Sequence, residues 1–358
     1  MKYMRKLLYF KMSVLFLVIM LFLSGCGLTV NTGTGSSGAN DGGIYRSSNK
    51  GDNWTQKTSI LSVNRQRSFS GADILSLSME LDDSKAIYAG SVGNGLVYSY
   101  DGADSWQIAV GLGQVNVRDV AVDPAERCKV YAVSDNKVFK SSDCSRTWAQ
   151  AYFDNDLRLK IATLAIDYIN SANIFIGTSR GDLIKSSDAG ATWRAISRFS
   201  SQVEKIAINP VDAKIMFIGT ANDGVFRSLD GGASWESLEE NLKAFDNSTR
   251  FRDFTMVKSE KSTIFLATSY GLLKSTDLGS SWTEIKLLTP EKQATINSIA
   301  VNPNNANEIY YVTNTTFYRS LDGGQNWSSK KLPTGRAGAK LLLDPKNTAT
   351  IYLAVRSQ

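Results

Sequence analysis

The chain has 358 residues, 42% of them hydrophobic and 21% charged, and a formal net charge of +6 at pH 7. It has no histidine and three cysteines, which excludes His-based triads, imidazole general bases and the commonest zinc sites. No Gly-rich phosphate loop of the P-loop kind is present, so neither a metal nor a cofactor is expected.

Residues 1–25 read as a secretion signal. Lys2, Arg5, Lys6 and Lys11 make a basic start, and the apolar run 13–23 is too short to span a bilayer with ease. Leu23-Ser24-Gly25-Cys26 resembles the bacterial lipobox, which implies that Cys26 becomes the lipidated first residue of the mature chain. The alternatives are an ordinary signal peptide with a chance cysteine, or an uncleaved anchor. Gly27 stands where an inner-membrane retention Asp commonly follows the cysteine. Cleavage removes four positive charges and no negative ones, leaving +2 of the original +6. A chain so close to neutral gives nucleic-acid binding no support. Residues 26–40 hold the lipidated cysteine and a Gly-, Ser-, Thr- and Asn-rich tether. Its typical reach is about 20 Å.

From residue 41 to 358 one pattern recurs seven times: a basic or aromatic residue, Ser, any residue, an Asp-type residue, then Trp five places on. The acidic and Trp positions pair as Asn49 with Trp54, Asp101 with Trp106, Asp143 with Trp148, Asp188 with Trp193, Asp230 with Trp235, Asp277 with Trp282, and Asp322 with Trp327. Trp-to-Trp spacings of 52, 42, 45, 42, 47 and 45 residues mark a solenoid or a propeller. The Asp can accept from backbone N–H groups and hold the turn, and a Gly two residues on supplies positive φ. Ala103 and Ser145 replace that Gly, and Asn49 replaces the Asp. The residue before each Ser (Arg46, Tyr98, Lys140, Lys185, Arg227, Lys274, Arg319) is expected to form a solvated structural ring.

Each unit reads as four short strands with turn signals every 8–12 residues, the sequence form of a propeller blade. The first run ends at Asp-Pro or Asn-Pro in four units (Pro124, Pro210, Pro303, Pro345). No segment shows helical periodicity with caps. Six units are whole, and the seventh is split. Residues 43–57 supply its third and fourth strands and 339–355 its first and second. The expectation is an all-β, seven-bladed β-propeller of four-stranded blades, closed by pairing N- and C-terminal strands in one blade.

Cys128 and Cys144 flank a hairpin that turns near Asp135-Asn136 and fall opposite one another. An exported domain permits a disulfide between them. Two unpaired thiols are the alternative.

The boxes resemble the Asp-box, or BNR, repeat. In known families these boxes are structural and lie away from the working surface, which implies a folding role for the Asp and Trp residues above and no catalytic residue among them. Sialidases and some endoglucanases carry the repeat, so a carbohydrate-binding or sialidase-like glycoside hydrolase propeller is the alternative function. Against it, no Pro follows an Ile, as it would in the Arg-Ile-Pro segment typical of sialidases, and the Asp-box endoglucanases use two propellers where this chain has one. The tandem boxes, first strands such as Ile299 to Pro303, and Cys26 are similar to the photosystem II assembly/stability factor family. That resemblance implies a non-enzymatic, membrane-tethered scaffold with a protein partner, a membrane protein under assembly being one candidate. A monomer is expected, lipid-anchored to a bacterial membrane and facing the periplasm, the cell surface or the thylakoid lumen. The face opposite the boxes is the expected binding surface, because irregular loops on a rigid scaffold concentrate function. Its candidates are Arg65, Arg67, Arg158, Arg180, Arg250 and Arg252, read as a patch for an acidic segment. Scattered solvated charges are the plainer reading.

Overall fold

Strand-length runs of β-branched and aromatic residues, each stopped by a Gly-, Asn- or Asp-rich turn, fold back on themselves four at a time. The result, in a computed structural model, is seven four-stranded antiparallel sheets. The structure describes residues 40–358 except 64–66, 81 and 258–259, so the signal segment, Cys26, Arg65 and all of the tether but Asn40 lie outside the described residues. Blades one to six begin at Ile74, Asp119, Ile161, Val203, Phe251 and Ser298, each with its strands in sequence order. Blade seven takes Ala337–Leu343 and Ile351–Arg356 from the end of the chain, and Ile44–Ser47 and Thr55–Gln56 from its start. The split blade is therefore formed as the repeat count requires. Two features exceed the expected pattern. A two-stranded ribbon, Ser59–Ile60 with Arg67–Ser68, follows blade seven. A single α-helical turn, Glu239–Leu242, links blades four and five, where Leu242 is fully buried against Phe251 and Phe254.

Among the described residues no hydrophobic core sits at the centre. Apolar side chains instead form seven separate clusters, one between each pair of neighbouring blades. Close approach of the sheets needs small residues on the second strands. A Cβ at Gly219 would lie 2.4 Å from the Phe251 ring of the next blade, well inside contact distance.

The boxes explain why blades stay in register. Ser186 Oγ accepts from the Gly190 N–H at 2.8 Å and donates to Asp188 Oδ1 at 2.8 Å, while Asp188 accepts from Thr192 N–H at 2.8 Å. The same bonds recur in the other boxes, Asn49 included. Two consecutive residues after each Asp take positive φ, so Ala103 (71°) and Ser145 (68°) hold a conformation that suits Gly. Trp indoles reach backwards: Trp193 donates to Ala151 O at 3.0 Å and Trp327 to Lys286 O at 2.8 Å, both on the preceding blade. Basic residues reach forwards. Lys140, Arg227 and Arg319 donate to Ala189 O, Leu278 O and Lys50 O in the next blade's box at 2.9, 2.9 and 3.0 Å. Lys185 and Lys274 lie over the Phe175 and Phe265 rings. The ring expected to be solvated is thus a set of ties between blades and to the wall of its own blade.

The closing blade has its own clasp. The Arg336 guanidinium, almost wholly buried, donates to Asp41 Oδ1 at 3.1 Å and to Asp73 Oδ1. The Ser357 N–H also donates to Asp73, at 2.7 Å. Asp41 is the chain's entry, Ser357 nearly its exit, and Asp73 the threshold of blade one.

Cys128 and Cys144 are joined, with Cα atoms 4.0 Å apart. A bridge of this loop size contributes about 3 kcal/mol by loop-closure entropy. Labelling of denatured protein is expected to find no free thiol at these positions until reductant is added. Equal labelling with and without reductant would rule the bridge out. Ser145→Gly removes both a left-handed serine and a buried hydroxyl without a partner. It is expected to raise unfolding stability by about 1 kcal/mol, read from denaturant midpoints. Finally, hydroxyl and backbone N–H donors hold the Asp188 and Asp230 carboxyls at about 2, below the ordinary 3.8. Groups depressed on folding stabilise fully above their unfolded value and lose that contribution as pH falls through the folded one. Melting temperature should hold above about pH 5 and fall between about pH 4 and 2. The double variant Asp188→Asn/Asp230→Asn should fall less steeply over that window.

Candidate functional site

First strands of all seven blades surround a central channel of about 870 Å³. Aligned on the turn that ends them, these strands place Ser76, Asp119, Thr163, Lys205, Asp253, Ser298 and Lys340 at one shared position. Every one of the seven is polar. In five blades the ladder shifts register just before this residue, and such bulges re-aim a side chain. Further in, at the position two residues on, the bore is lined by Ala121, Ala165, Ala207 and Ala300, small enough to leave it open.

The polar ring is a chain of contacts between neighbours. Lys205 Nζ donates to Asp253 Oδ1 at 2.6 Å and to Phe254 O at 2.8 Å. Asp253 Oδ2 accepts from Ser298 Oγ at 3.0 Å and from the Ile299 N–H at 2.9 Å. Ser298 Oγ in turn accepts from the Leu341 N–H at 3.2 Å. Asp119 accepts from the Val120 and Leu164 N–H groups, each at 2.9 Å, and from Thr163 Oγ1. Burial pushes the Asp119 carboxyl up, against these donors and the charge of Lys340. Burial acts on Asp253 too, but the ammonium groups of Lys205 and Lys340 outweigh it and hold that carboxyl below the usual range. Two members stay apart from the network. Ser76 Oγ is buried without a partner, and Lys340 makes no hydrogen bond or ion pair among the described residues.

Above the ring the channel opens on the face made by second-to-third-strand turns and blade-to-blade connections, opposite the boxes. Arg118, Glu204 and Arg252 line this mouth one residue before the ring, and Arg356 ends the second strand of blade seven there. All four are exposed. None of the three arginines forms an ion pair among the described residues; Arg252 donates only to Ser269 Oγ at 3.4 Å.

The arginines expected to form a patch are distributed differently. Arg158 and Arg180 meet, but on the Asp156 carboxylate, at 3.1 and 3.2 Å. Arg180 also faces Asp182 at 3.4 Å, and Arg198 reaches that same carboxylate at 3.5 Å. This junction neutralises itself. Arg67 stands alone on the two-stranded ribbon, and Arg250 and Arg252 enter blade five. Among the described candidates only Arg252 lies at the channel mouth, where it joins Arg118 and Arg356, which the sequence reading passed over. A readable signal existed: a polar residue at the same place, four before the end of the run, in all seven first strands.

Fold and boxes together define a seven-bladed Asp-box β-propeller. It resembles the photosystem II assembly factor YCF48 family, whose model matches residues 198–358. No curated protein matches the chain. Among solved structures, it is similar to one titled YCF48 bound to D1 peptide, with 16% identity and a TM-score of 0.60 over 79% of this chain and 92% of that one. YCF48 from Cyanidioschyzon merolae is 11% identical, with a TM-score of 0.57 over 79% and 95% of the two chains. A GH74 xyloglucanase from Xanthomonas campestris gives 16% and 0.63 over 80% of this chain. The chain spans about half the length of that enzyme, 51%. At these identities the likeness is one of fold.

Proposed function

We propose that this protein is a lipid-anchored, non-enzymatic scaffold of a bacterial envelope. Its loop face captures an acidic segment of a protein partner, a membrane protein under assembly in the photosynthetic case. The observation that carries this reading is an asymmetry between faces. Asn40 to Gly43 enter the propeller beside Ser70, Ala72 and Thr334 on the loop face. On the same face Arg118, Arg252 and Arg356 offer unpaired guanidinium groups around the channel mouth. Guanidinium forks match carboxylates in two-point contact. The YCF48 likeness supports a protein partner, since that relative was solved with a D1 peptide. Anchoring, export and the monomeric state belong to the same proposal.

One observation favours a second reading, a glycoside hydrolase. Asp119 and Asp253 line one channel and are driven in opposite directions, the relation an acid and its partner carboxylate need. Yet each of their four oxygens already accepts from a backbone N–H, and those bonds point into the wall. Such carboxylates fasten strands; they are poorly placed to donate to a sugar.

Affinity capture of the tagged lipoprotein from gently solubilised membranes, followed by mass spectrometry, tests the scaffold. Arg118→Glu/Arg252→Glu should reduce partner recovery by about tenfold or more, whereas Arg158→Glu should change it little. Unchanged capture by the double variant would remove the arginine mouth from the reading. Hydrolysis of a fluorogenic glycoside panel at mildly acid or neutral pH would favour the enzyme.

A further inference from the structure

We infer that the two-stranded ribbon between blades seven and one is a second contact with the lipid surface, made by Leu61, Val63 and Arg67 on anionic lipid. The ribbon is additional to the repeat. The spacing from Trp54 to Trp106 is 52 residues, the longest of the six, and insertions into a repeat are where binding surfaces are commonly built. Its base is fixed. The Trp106 N–H donates to Ser59 O at 2.9 Å and the Leu61 N–H to Trp106 O at 2.8 Å, which fastens the ribbon to the start of blade one's fourth strand. Phe69, just past the returning strand, is buried and meets the Trp106 ring edge-on at 5.4 Å. Leu61 and Val63 take no part in that packing. Leu61 is 59% exposed and Val63 99%, the highest value for a large apolar residue among the described residues. Two neighbouring aliphatic side chains held in water on a fastened ribbon mark a contact surface.

The place where the chain enters the propeller selects the occupant. Gln56 Nε2 donates to Asn40 O and Gly42 O, each at 2.9 Å, and the Gly42 N–H donates to Ser70 O at 2.6 Å. A Cβ on Gly43 would stand 2.5 Å from Thr58 Cγ2 and 3.3 Å from the Phe69 ring. Asn40 therefore lies at the base of the ribbon itself. Residues 27–39 separate it from Cys26, a chain whose typical reach is about 20 Å. The inference rests on the anchored reading in one respect: lipid on Cys26 is what brings a bilayer within that distance. Charge agrees with the choice. Residues 57–70 include Lys57, Arg65 and Arg67 and no acid. Lys57 is engaged with Asp104 at 2.8 Å, whereas Arg67 is exposed and in no ion pair among the described residues. Aliphatic side chains settle at the boundary between headgroups and acyl chains, and a cation beside them favours anionic headgroups. A groove on another protein would bury the same pair, but the chain's point of entry favours the bilayer.

Ser62→Cys places a thiol between the two aliphatic residues without replacing either, and Cys128 and Cys144 are bridged and do not compete for a label. The full chain, carrying an environment-sensitive fluorophore there, is reconstituted into vesicles of phosphatidylcholine and phosphatidylglycerol. The label should shift to the blue and be quenched by nitroxide-bearing lipid, and a label at Leu229→Cys, exposed on the box face, should do neither. Leu61→Asp/Val63→Asp should cut the quenching by about fivefold or more, and Arg67→Glu should lower it in part. If the pair fails to fold, Val63→Asp alone decides, since that side chain touches almost nothing. No quenching at position 62, or undiminished quenching in the folded aspartate variant, overturns the inference. A shift that appears only when a membrane protein is added assigns the ribbon to a protein partner and overturns it too. Mass spectrometry of the Cys26 peptide scores anchoring separately. If Cys26 carries no lipid the anchored reading fails, and the Cys26→Ser chain mixed with the same vesicles then scores the ribbon alone, by the same quenching.

Discussion

Arg336 sits where the two ends of the propeller meet, its guanidinium held between Asp41 and Asp73. Around it Ile44–Ser47 pairs with Ile351–Arg356 over four residues. A propeller has no central apolar mass to collapse upon, and its cores here are seven layers between blades. Each layer needs both of its blades, so the ring is stable only when the last gap is shut. Withdrawing one partner from a buried ion cluster is far costlier than forming it is favourable. The clasp therefore acts less as glue than as a condition for the closed state.

Once closure is secured, the boxes distribute tension evenly. Each is tied forwards by a basic side chain or held by an aromatic ring, and several are tied backwards by the indole. Repetition of this kind is what structural positions look like. Recognition needs difference, and difference accumulates at the channel, where seven equivalent positions carry Ser, Asp, Thr, Lys, Asp, Ser and Lys. The same backbone geometry there presents two cations, two carboxylates and three neutral hydroxyls.

Legibility followed the range of the interaction. Boxes, blade count and the split closing blade were readable because each is a pattern within about 45 residues or a simple remainder at the ends. Arg158 and Arg180 misled because neighbouring acids quench them: Asp156 lies two residues before Arg158 and Asp182 two after Arg180, and one further contact is not local. Asp156 engages Arg180 across 24 residues, and no spacing rule announces such a pair. The polar ring was written in the first strands, but simple period-two alternation does not assign its residues to the channel. A bulge before the ring residue turns it out of that alternation. Only strand pairing reveals the shift. Ser145 shows the reverse case: a replaced Gly looks like a worn repeat, yet the backbone still takes positive φ there and the turn survives.

The split blade also orders events in time. Synthesis delivers the amino end first, so Ile44–Ser47 emerges more than 300 residues before its partner Ile351–Arg356. Throughout that interval the early strand has an open edge, the kind that pairs with whatever strand is nearest. Its sequence, Ile-Tyr-Arg-Ser, places a cation on that edge, one of the devices by which unpaired strands discourage wrong company. A chain of this design cannot ripen blade by blade into working form; it becomes a ring in one late step, when its final residues arrive.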